Sequence, residues 1–212
     1  KQLGVYSVGF YSNVVFPKIL DVVMSNGYMT KARIALLADV SGDIFEIGFG
    51  TGLNLAHYPE SVKAITTADV NPGMNKLANE RIAASPIDVK HDVLNGENLP
   101  FEDGSFDSVV CTWTLCSIPD VGSALDEMHR ILRPAGRFFF VEHGLADDPK
   151  VQKWQHRLTP IQRRIGDGCH FNRNMEELIR DHHFSYDQLE TYYMEKAPRF
   201  GGYMYQGIAS KA

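Results

Sequence analysis

The chain has 212 residues, which is enough for one α/β domain with a full hydrophobic core. Its 44% hydrophobic and 22% charged content is typical of a soluble globular protein. The net charge of −5 and the lack of a basic run argue against a nucleic-acid-binding surface, so we expect no nucleic-acid substrate or partner.

The cysteines and the hydropathy pattern bear on the compartment. Cys111, Cys116 and Cys169 are odd in number and lack a C-x-x-C spacing, which argues against a disulfide framework and a structural zinc site and favours a cytoplasmic location. The most apolar early stretch, residues 14–24, is too short and too charged to span a bilayer, and no signal peptide is visible. We therefore expect no transmembrane segment, while peripheral membrane contact and a homodimer stay open.

The first predicted element is an amphipathic helix. Residues 5–27 carry apolar side chains at helical spacing and finish in an Asn-Gly pair that is expected to end the helix. Aromatic residues, including Tyr6 and Tyr11, cluster at its start. Two interpretations stay open: the helix packs on a sheet, or residues 1–30 form a lid whose aromatic rings close over ligand and substrate. A second short helix is predicted over residues 31–37.

The chain is organised around residues 43–52, an apolar run that finishes in three alternating glycines, Gly48, Gly50 and Gly52. An apolar run bounded by turn residues predicts a buried strand, and the glycines allow the backbone to approach a ligand closely. The stretch therefore predicts a strand, a turn and the start of a helix.

Two ligand classes use such a turn, and Glu46 distinguishes them. A dinucleotide site would place its pyrophosphate near this carboxylate and would have a glycine where Leu53 stands. S-adenosylmethionine carries an ammonium and a sulfonium, which a carboxylate attracts. Asp69 follows at the spacing of a ribose-binding acid, which suits either nucleoside.

Residues 46–52 resemble motif I of the class I S-adenosylmethionine-dependent methyltransferases, and residues 68–74 resemble their ribose-binding segment. The resemblance implies S-adenosylmethionine as cofactor and S-adenosylhomocysteine as product. It assigns the methionine half of the cofactor to Glu46, Gly48, Gly50 and Gly52, and the ribose to Asp69 and Asn71.

The remaining elements alternate and then form a terminal hairpin. Strands are predicted over residues 63–69, 87–92, 106–112, 137–142, 184–195 and 203–210, and helices after Pro72 and over residues 120–132 and 173–182. Alternating strands and helices imply a parallel sheet with right-handed crossovers. The predicted fold class is α/β: a Rossmann-like class I methyltransferase with a mostly parallel seven-stranded sheet, helices on both faces and an antiparallel edge hairpin, in a single domain over residues 1–212.

The resemblance also assigns residues beyond the glycine turn. Residues 95–107 resemble the adenine-binding segment, with Asn95 where many relatives have Asp, followed by Gly96 and Glu97; Asp92 is a second candidate. Cys111 and Thr112, at the end of the fourth strand, are assigned to the methionine end of the cofactor, and Trp113 to the substrate beyond them. Tyr6 and Tyr11 are assigned to the substrate as aromatic residues of the lid, and Arg173 as part of the cationic pocket that an anionic acceptor would require.

Methyl transfer from a sulfonium is an in-line displacement, so we expect no metal and look instead for a proton acceptor. His143 directly follows the fifth strand, at the edge where open α/β sheets bind ligands, although a hydrogen-bonded core histidine is the alternative. Asp167 and His170 lie in a predicted substrate-side insertion over residues 144–173 and are further candidates. Together with Cys169 they lack the usual ligand spacing of a zinc site.

Further segments narrow the resemblance to a methyltransferase-like family that includes membrane-associated thiol methyltransferases, and more loosely to ubiquinone/menaquinone-biosynthesis and phospholipid N-methyltransferases. These segments are Tyr58-Pro59, residues 96–98, 109–112 and 115–117, Arg133-Pro134, Glu142-His143 and residues 167–169. No counterpart of the animal thiol enzymes' N-terminal anchor is seen. We expect a small-molecule or lipid-like substrate with a thiol, a hydroxyl or phospho-oxygen, or an amine as acceptor. A non-catalytic cofactor binder and an NAD-dependent dehydrogenase are the alternatives.

Overall fold

One sheet of seven strands runs through the structure, a computed structural model that describes residues 9–212. The strands are β1 (Ile44–Ile47), β2 (Ala64–Asp69), β3 (Asp88–Val93), β4 (Phe106–Thr112), β5 (Leu132–His143), β6 (Phe184–Tyr193) and β7 (Tyr203–Lys211). They lie in the order β3-β2-β1-β4-β5-β7-β6. The first five are parallel, and β7 is antiparallel to both β5 and β6. The predicted fold with its antiparallel edge pair is confirmed.

Helices cover both faces of the sheet. They are α1 (Phe16–Met24), α2 (Gly27–Leu37), α3 (Asn75–Ala84), α4 (Val121–Ile131), α5 (Pro149–Ile165) and α6 (Met175–Asp181). Because successive strand residues point to opposite faces, neighbours in β4 belong to different cores. Val109 packs in the core that contains Leu125 of α4, and Val110 packs in the core that contains Leu37 of α2. The central strands are therefore buried on both sides, which explains their unbroken apolar sequences.

The N-terminal helix differs from its prediction over residues 5–27. A π-helical turn, Tyr11–Val15, leads into α1, which ends at Met24. The Asn26 side chain accepts two backbone N–H groups of the following turn, so it begins α2 and does not end a helix. Asparagine is also a preferred residue at a helix start, and the prediction had considered only its use at a helix end. Tyr6 lies outside the described residues.

β5 begins at Leu132, five residues before the strand predicted over residues 137–142, and its first part is irregular. Phe106 pairs with Leu132 and Ser108 pairs with Arg137, so the residues between them on β5 outnumber those on β4. The regular part of the strand begins at Arg137, as predicted. In the residues from 9 onward, no helix combines the length and the apolar character needed to cross a bilayer.

The strand order places a switch point between β1 and β4. The chain runs outward from β1 to β3 and then returns to β4 on the other side of β1. At such a point the connecting loops diverge, and the carboxyl ends of the strands border a crevice that binds ligands in open α/β sheets.

Candidate active site

A cavity of about 330 Å³ lies at this switch point. The loops after β1, β2 and β3 line one part of it, here called the cofactor half. The loop after β4, the end of β5 and the segment after α5 line the other part, here called the acceptor half. A mostly apolar wall with a few converging polar groups is typical of a small-molecule site. The predicted site residues that line the cavity are Gly48, Gly50, Asp69, Asn71, Asn95, Gly96, Thr112, Trp113, His143 and Asp167.

The turn after β1 requires glycine for its backbone. Gly48, Gly50 and Gly52 have φ values of 73°, 56° and 79°, which side chains other than glycine rarely adopt. A Cβ on Gly48 would also lie 1.9–2.6 Å from side-chain atoms of Thr114. The turn therefore brings bare backbone to the cavity at Gly48 and Gly50, while Gly52 lies behind the cavity wall and starts the next helical turn.

Asp69 fixes the relative position of the first two loops. One of its carboxylate oxygens accepts the Gly50 N–H at 2.8 Å and the other accepts the Asn71 N–H at 2.8 Å. Burial raises the pKa of Asp69 above its usual range, although both hydrogen bonds favour the charged form. Each oxygen keeps a further acceptor position, so the carboxylate can bind hydroxyl groups of a ligand in the cavity.

Glu46 is placed differently from the sequence interpretation. Its side chain is only 1% exposed and does not line the cavity. Tyr58 donates to one carboxylate oxygen at 2.6 Å, and Asn54 donates to the other at 2.9 Å. Burial raises the pKa of Glu46 to about 7. Asn54 does line the cavity and also donates to Thr112, so Glu46 acts on the site through Asn54.

The loop after β3 forms the third wall of the cofactor half. Asn95 and Gly96 line the cavity, whereas Glu97 and Asp92 do not. The Asn95 amide oxygen accepts the Glu97 N–H at 3.0 Å, and its amide group donates to the Glu97 carboxylate at 3.1 Å. The Asn95 side chain thus shapes the loop, and Glu97 supports it from outside.

The loop after β4 has a strained backbone and is held in place by buried side chains. Trp113 has a φ of 50°, unusual for a bulky residue and of a kind found at functional sites. The Arg33 guanidinium lies 4.7 Å from the centre of its ring. Fully buried Glu142 accepts the N–H groups of Thr114 and Leu115 at 2.6 and 2.9 Å, and burial raises its pKa. Cys111, which also contacts Glu142, is buried behind the cavity wall.

His143 and two cysteines meet in the acceptor half. The His143 Nε2 atom lies 3.1 Å from the Cys169 sulfur. The Cys116 sulfur joins them, and all three potential ligand atoms lie within 4.8 Å of one another. The three side chains are buried, yet all of them line the cavity. Cys116 was not among the site residues predicted from the sequence.

The N-terminal segment closes the cavity through a polar network. Ser12 donates to one oxygen of Asp167 at 2.6 Å, and Asn71 donates to the other at 3.1 Å. The Tyr11 hydroxyl donates to the Ile165 carbonyl at 2.7 Å. Residues just before α1 are therefore fastened both to the loop after β2 and to the segment after α5.

Helix α1 makes a further set of polar contacts, which join it to the glycine turn and to α3. Asp21 accepts from the Thr51 hydroxyl at 2.6 Å and from Arg81 at 2.8 Å. Arg81 in turn donates to the Thr51 carbonyl at 2.7 Å. These bonds join α1 to the glycine turn, and no local sequence signal indicates them, because the partners lie on three separate elements.

His170 and Arg173 support the acceptor half but do not line the cavity. The His170 ring nitrogen Nδ1 lies 3.1 Å from the carbonyl oxygen of Cys116, which also accepts the His170 backbone N–H at 2.9 Å. Arg173 donates to the carbonyl of Leu115 and, at 2.8 Å, to that of Ile118. Both residues thus hold the loop after β4 in position.

Comparison with known proteins identifies the family. Residues 45–140 match the model of a methyltransferase domain. The chain is 37% identical over 192 residues to the thiol S-methyltransferase TMT1B of Rattus norvegicus. The matched region covers 82% of this chain and 77% of the relative. The chain belongs to the class I S-adenosylmethionine-dependent methyltransferases. This methyltransferase is also 31% identical over 148 residues to a demethylmenaquinone methyltransferase of Symbiobacterium thermophilum, over 62% of this chain and 59% of the relative.

A solved structure supports the fold independently. It is a complex between the Haloferax volcanii Trm112 methyltransferase activator and a methyltransferase. The match has a TM-score of 0.71 at 18% identity and covers 95% of this chain and 96% of that chain. At this identity the similarity concerns the fold alone.

The described residues fit the cofactor that the family implies. Asp69 offers a carboxylate to ribose hydroxyls, and Gly48 and Gly50 leave room for a ligand against the backbone. Arg33 also lines the cavity, where its guanidinium donates to the Asn54 side chain and to the Met24 carbonyl. The Asp69 carboxylate beside the bare backbone of the turn therefore suits a nucleoside whose ribose hydroxyls meet that carboxylate.

Proposed function

We propose that this methyltransferase transfers the methyl group of S-adenosylmethionine to the sulfur of a small thiol. The observation that carries the proposal is the acceptor half, where His143 and two cysteine sulfurs line the cavity and no Lys or Arg of the loop after β4, the end of β5 or the segment after α5 does so among the described residues. The 37% identity to a relative named as a thiol S-methyltransferase supports the same acceptor. S-adenosylhomocysteine is the expected second product.

The cofactor half would bind the donor by contacts of known chemistry. S-adenosylmethionine, when bound, supplies a methyl group on a positively charged sulfur. Asp69 would hold the ribose, Gly48 and Gly50 would border the methionine part, and Asn95 would border the adenine. Glu46 contributes through Asn54, whose orientation it fixes, and by negative charge beneath the turn when it is ionised.

The acceptor half would place the thiol and accept its proton. A free thiol with a pKa of ~8.5 supplies some thiolate near neutrality, so a base of moderate strength is sufficient. His143 is the proposed proton acceptor because its imidazole lines the cavity and lies 3.1 Å from a cysteine sulfur, a geometry that a bound thiol can reproduce. The apolar walls exclude water and hold the reacting groups together.

The described residues offer fewer suitable contacts to a phospho-oxygen or an amine acceptor. A phospho-oxygen acceptor would require a cationic pocket, yet Arg157, Arg163 and Arg164 are exposed and do not line the cavity. Arg173 is committed to two carbonyl groups. An amine acceptor would have Asp167 as its carboxylate, and this group already holds Ser12 and Asn71 with one hydrogen bond on each oxygen, which leaves one acceptor position on each.

We also propose that residues before and within α1 act as a lid over the acceptor. Ser12, Tyr11 and Asp21 reach three different elements around the cavity, so opening the lid requires breaking a small number of polar contacts. Tyr11 does not line the cavity, and we propose that it borders the substrate entrance, where its hydroxyl donates to the Ile165 carbonyl at the end of α5.

The test is incubation with methyl-labelled S-adenosylmethionine and single representatives of each acceptor class: a small alkyl thiol, a primary amine and a phosphate monoester. We expect label in the thiol and in neither of the others. Label confined to the amine or the phosphate ester would overturn the choice of acceptor. Calorimetric binding of the donor without label in any acceptor would support a non-catalytic cofactor binder instead.

A further inference from the structure

We propose that Cys116, His143 and Cys169 bind one soft divalent cation, with Zn²⁺ as the expected ion, and that the acceptor thiol completes its coordination. The inference rests on the proposed function for its fourth ligand, but the three protein ligands stand on geometry alone. Two sulfurs and one imidazole form the ligand set of zinc sites that keep an open position.

The geometry is close to that of a tetrahedral site. Zinc–sulfur bonds of about 2.3 Å and zinc–nitrogen bonds of about 2.0 Å place sulfur and nitrogen ligands about 3.5 Å apart. The His143 Nε2 atom and the Cys169 sulfur are 3.1 Å apart, and every pair of ligand atoms in the cluster is within 4.8 Å. Small side-chain rotations are therefore sufficient to surround an ion.

The three ligands come from rigid and separate parts of the fold. His143 ends β5, Cys116 lies in the loop that Glu142 and Arg173 hold, and Cys169 follows α5. Because all three side chains line the cavity, the vacant coordination position faces the place proposed for the acceptor. A ligand set that is held by its backbone and open on one side is suited to binding substrate.

The charges of such a site are balanced by a neighbour. Two cysteine thiolates neutralise a divalent cation, and a bound acceptor thiolate adds one negative charge. Arg173 donates to the carbonyl groups of Leu115 and Ile118, on either side of Cys116 in the chain, and it is half-buried. Its guanidinium therefore offsets the excess charge when the acceptor binds.

A bound cation would change how the acceptor thiol loses its proton. A thiol that coordinates Zn²⁺ loses its proton, which passes to solvent, and stays bound as the thiolate. A lone pair of that thiolate forms the new sulfur–carbon bond, while the donor's sulfur–carbon bond breaks and leaves its electron pair on the donor sulfur. The product thioether carries no charge and is a weaker ligand, which favours its release. With the ion present, His143 serves as ligand in place of base.

The experiment uses the full chain after removal of metal by a chelator and gel filtration. Titration with Zn²⁺ should give one bound equivalent, and titration with Co²⁺ should produce a thiolate-to-cobalt charge-transfer band. Both signals should be lost in Cys116→Ser and in Cys169→Ser. Cys111→Ala is the matched control, since this third buried cysteine lies outside the cluster, and it should retain the band.

Addition of a small thiol to the Co²⁺-loaded protein should then shift the cobalt spectrum. Absence of the charge-transfer band in the wild-type protein overturns the inference even if the serine variants fail to fold. Stoichiometric metal binding that survives both serine substitutions overturns it as well. If metal-free protein methylates thiols at the full rate and binds no Zn²⁺, this inference fails and the proposed function stands. Metal binding with a thiol-dependent shift but no methylation would refute the proposed function alone.

Discussion

The two halves of the cavity are built in opposite ways. The cofactor half is formed by three loops that each directly follow a strand, with bare backbone at Gly48 and Gly50, and Asp69 joins two of these loops through the Gly50 and Asn71 N–H groups. The acceptor half consists of side chains from distant segments, with His143, Cys116 and Cys169 brought together only by the fold. The comparison teaches that the donor site is set by local sequence, whereas the acceptor site is set by tertiary structure and can change without altering the turn.

Gly48→Ala should have the largest effect and should act on the cofactor half. The positive φ and the overlap of a Cβ with Thr114 together should lower the free energy of unfolding by about 4 kcal/mol. Chemical denaturation measures this loss. Gly27→Ala is the control, because nothing lies within 4 Å of its added Cβ at the start of α2. Equal stability of the two variants would show that the turn tolerates a side chain.

Glu46→Gln should change how stability depends on pH. The pKa of Glu46 is about 7 in the folded protein and near the ordinary value of 4.5 when unfolded, so its contribution is fully present below pH 4.5 and is lost as the pH rises through 7. Relative to the variant, the wild type should lose about 3 kcal/mol over this range. Denaturation at several pH values measures the difference.

The matched control for this pH effect is exposed Glu190, whose Glu190→Gln variant should follow the wild-type curve. A parallel pH dependence for wild type and Glu46→Gln would mean that the buried carboxylate keeps an ordinary pKa. The cofactor half would then hold a permanent charge beneath its turn.

His143→Ala should separate the acceptor half from the cofactor half. Turnover should fall by about a hundredfold, since a positioned proton acceptor contributes at least this much. The dissociation constant for S-adenosylmethionine should stay the same, because His143 lies outside the cofactor half. Steady-state kinetics and calorimetry give the two values, with exposed His156→Ala as the control. A matching loss of cofactor affinity would break the proposed division.

Asp69→Ala should act on the cofactor half and weaken binding of the donor. Loss of its hydrogen bonds should weaken S-adenosylmethionine binding by about 1–3 kcal/mol, measured by calorimetry. Asp92→Ala tests the specificity of the effect, since Asp92 lies on β3 beside Ala68 but does not line the cavity. Unchanged affinity in Asp69→Ala would show that the ribose is bound elsewhere.

Tyr11→Phe should have the smallest effect. It removes a partly exposed hydrogen bond to the Ile165 carbonyl while keeping the aromatic ring. The KM for the acceptor should rise about twofold, corresponding to about 0.5 kcal/mol, with donor affinity unchanged. Tyr28→Phe provides the comparison. A large rise in the donor's dissociation constant would mean that the lid belongs to the cofactor half.

The sequence predicted the fold and the glycine turn because their signals are local, whereas the cofactor contacts assigned to individual residues stay predictions. The alternation of strands and helices and the glycine turn predicted the fold, which the structure confirms. The contacts of Glu46 could not be predicted, because they depend on Tyr58 and Asn54 folding back beneath the turn.

The acceptor half was predicted less well because its residues are far apart in the chain. From the sequence, the candidate metal ligands were Asp167, Cys169 and His170, which are neighbours in the chain. The structure places Cys169 with Cys116 and His143 instead, and turns His170 towards the Cys116 carbonyl. Only the packing of β4, β5 and the segment after α5 creates this cluster.

The most direct test of the account is a crystal structure with bound S-adenosylhomocysteine. The account predicts the ribose hydroxyls on the Asp69 carboxylate and the product sulfur facing the Cys116, His143 and Cys169 side of the cavity. A nucleoside bound in the reverse direction, or outside the cavity, would contradict the assignment of its two halves.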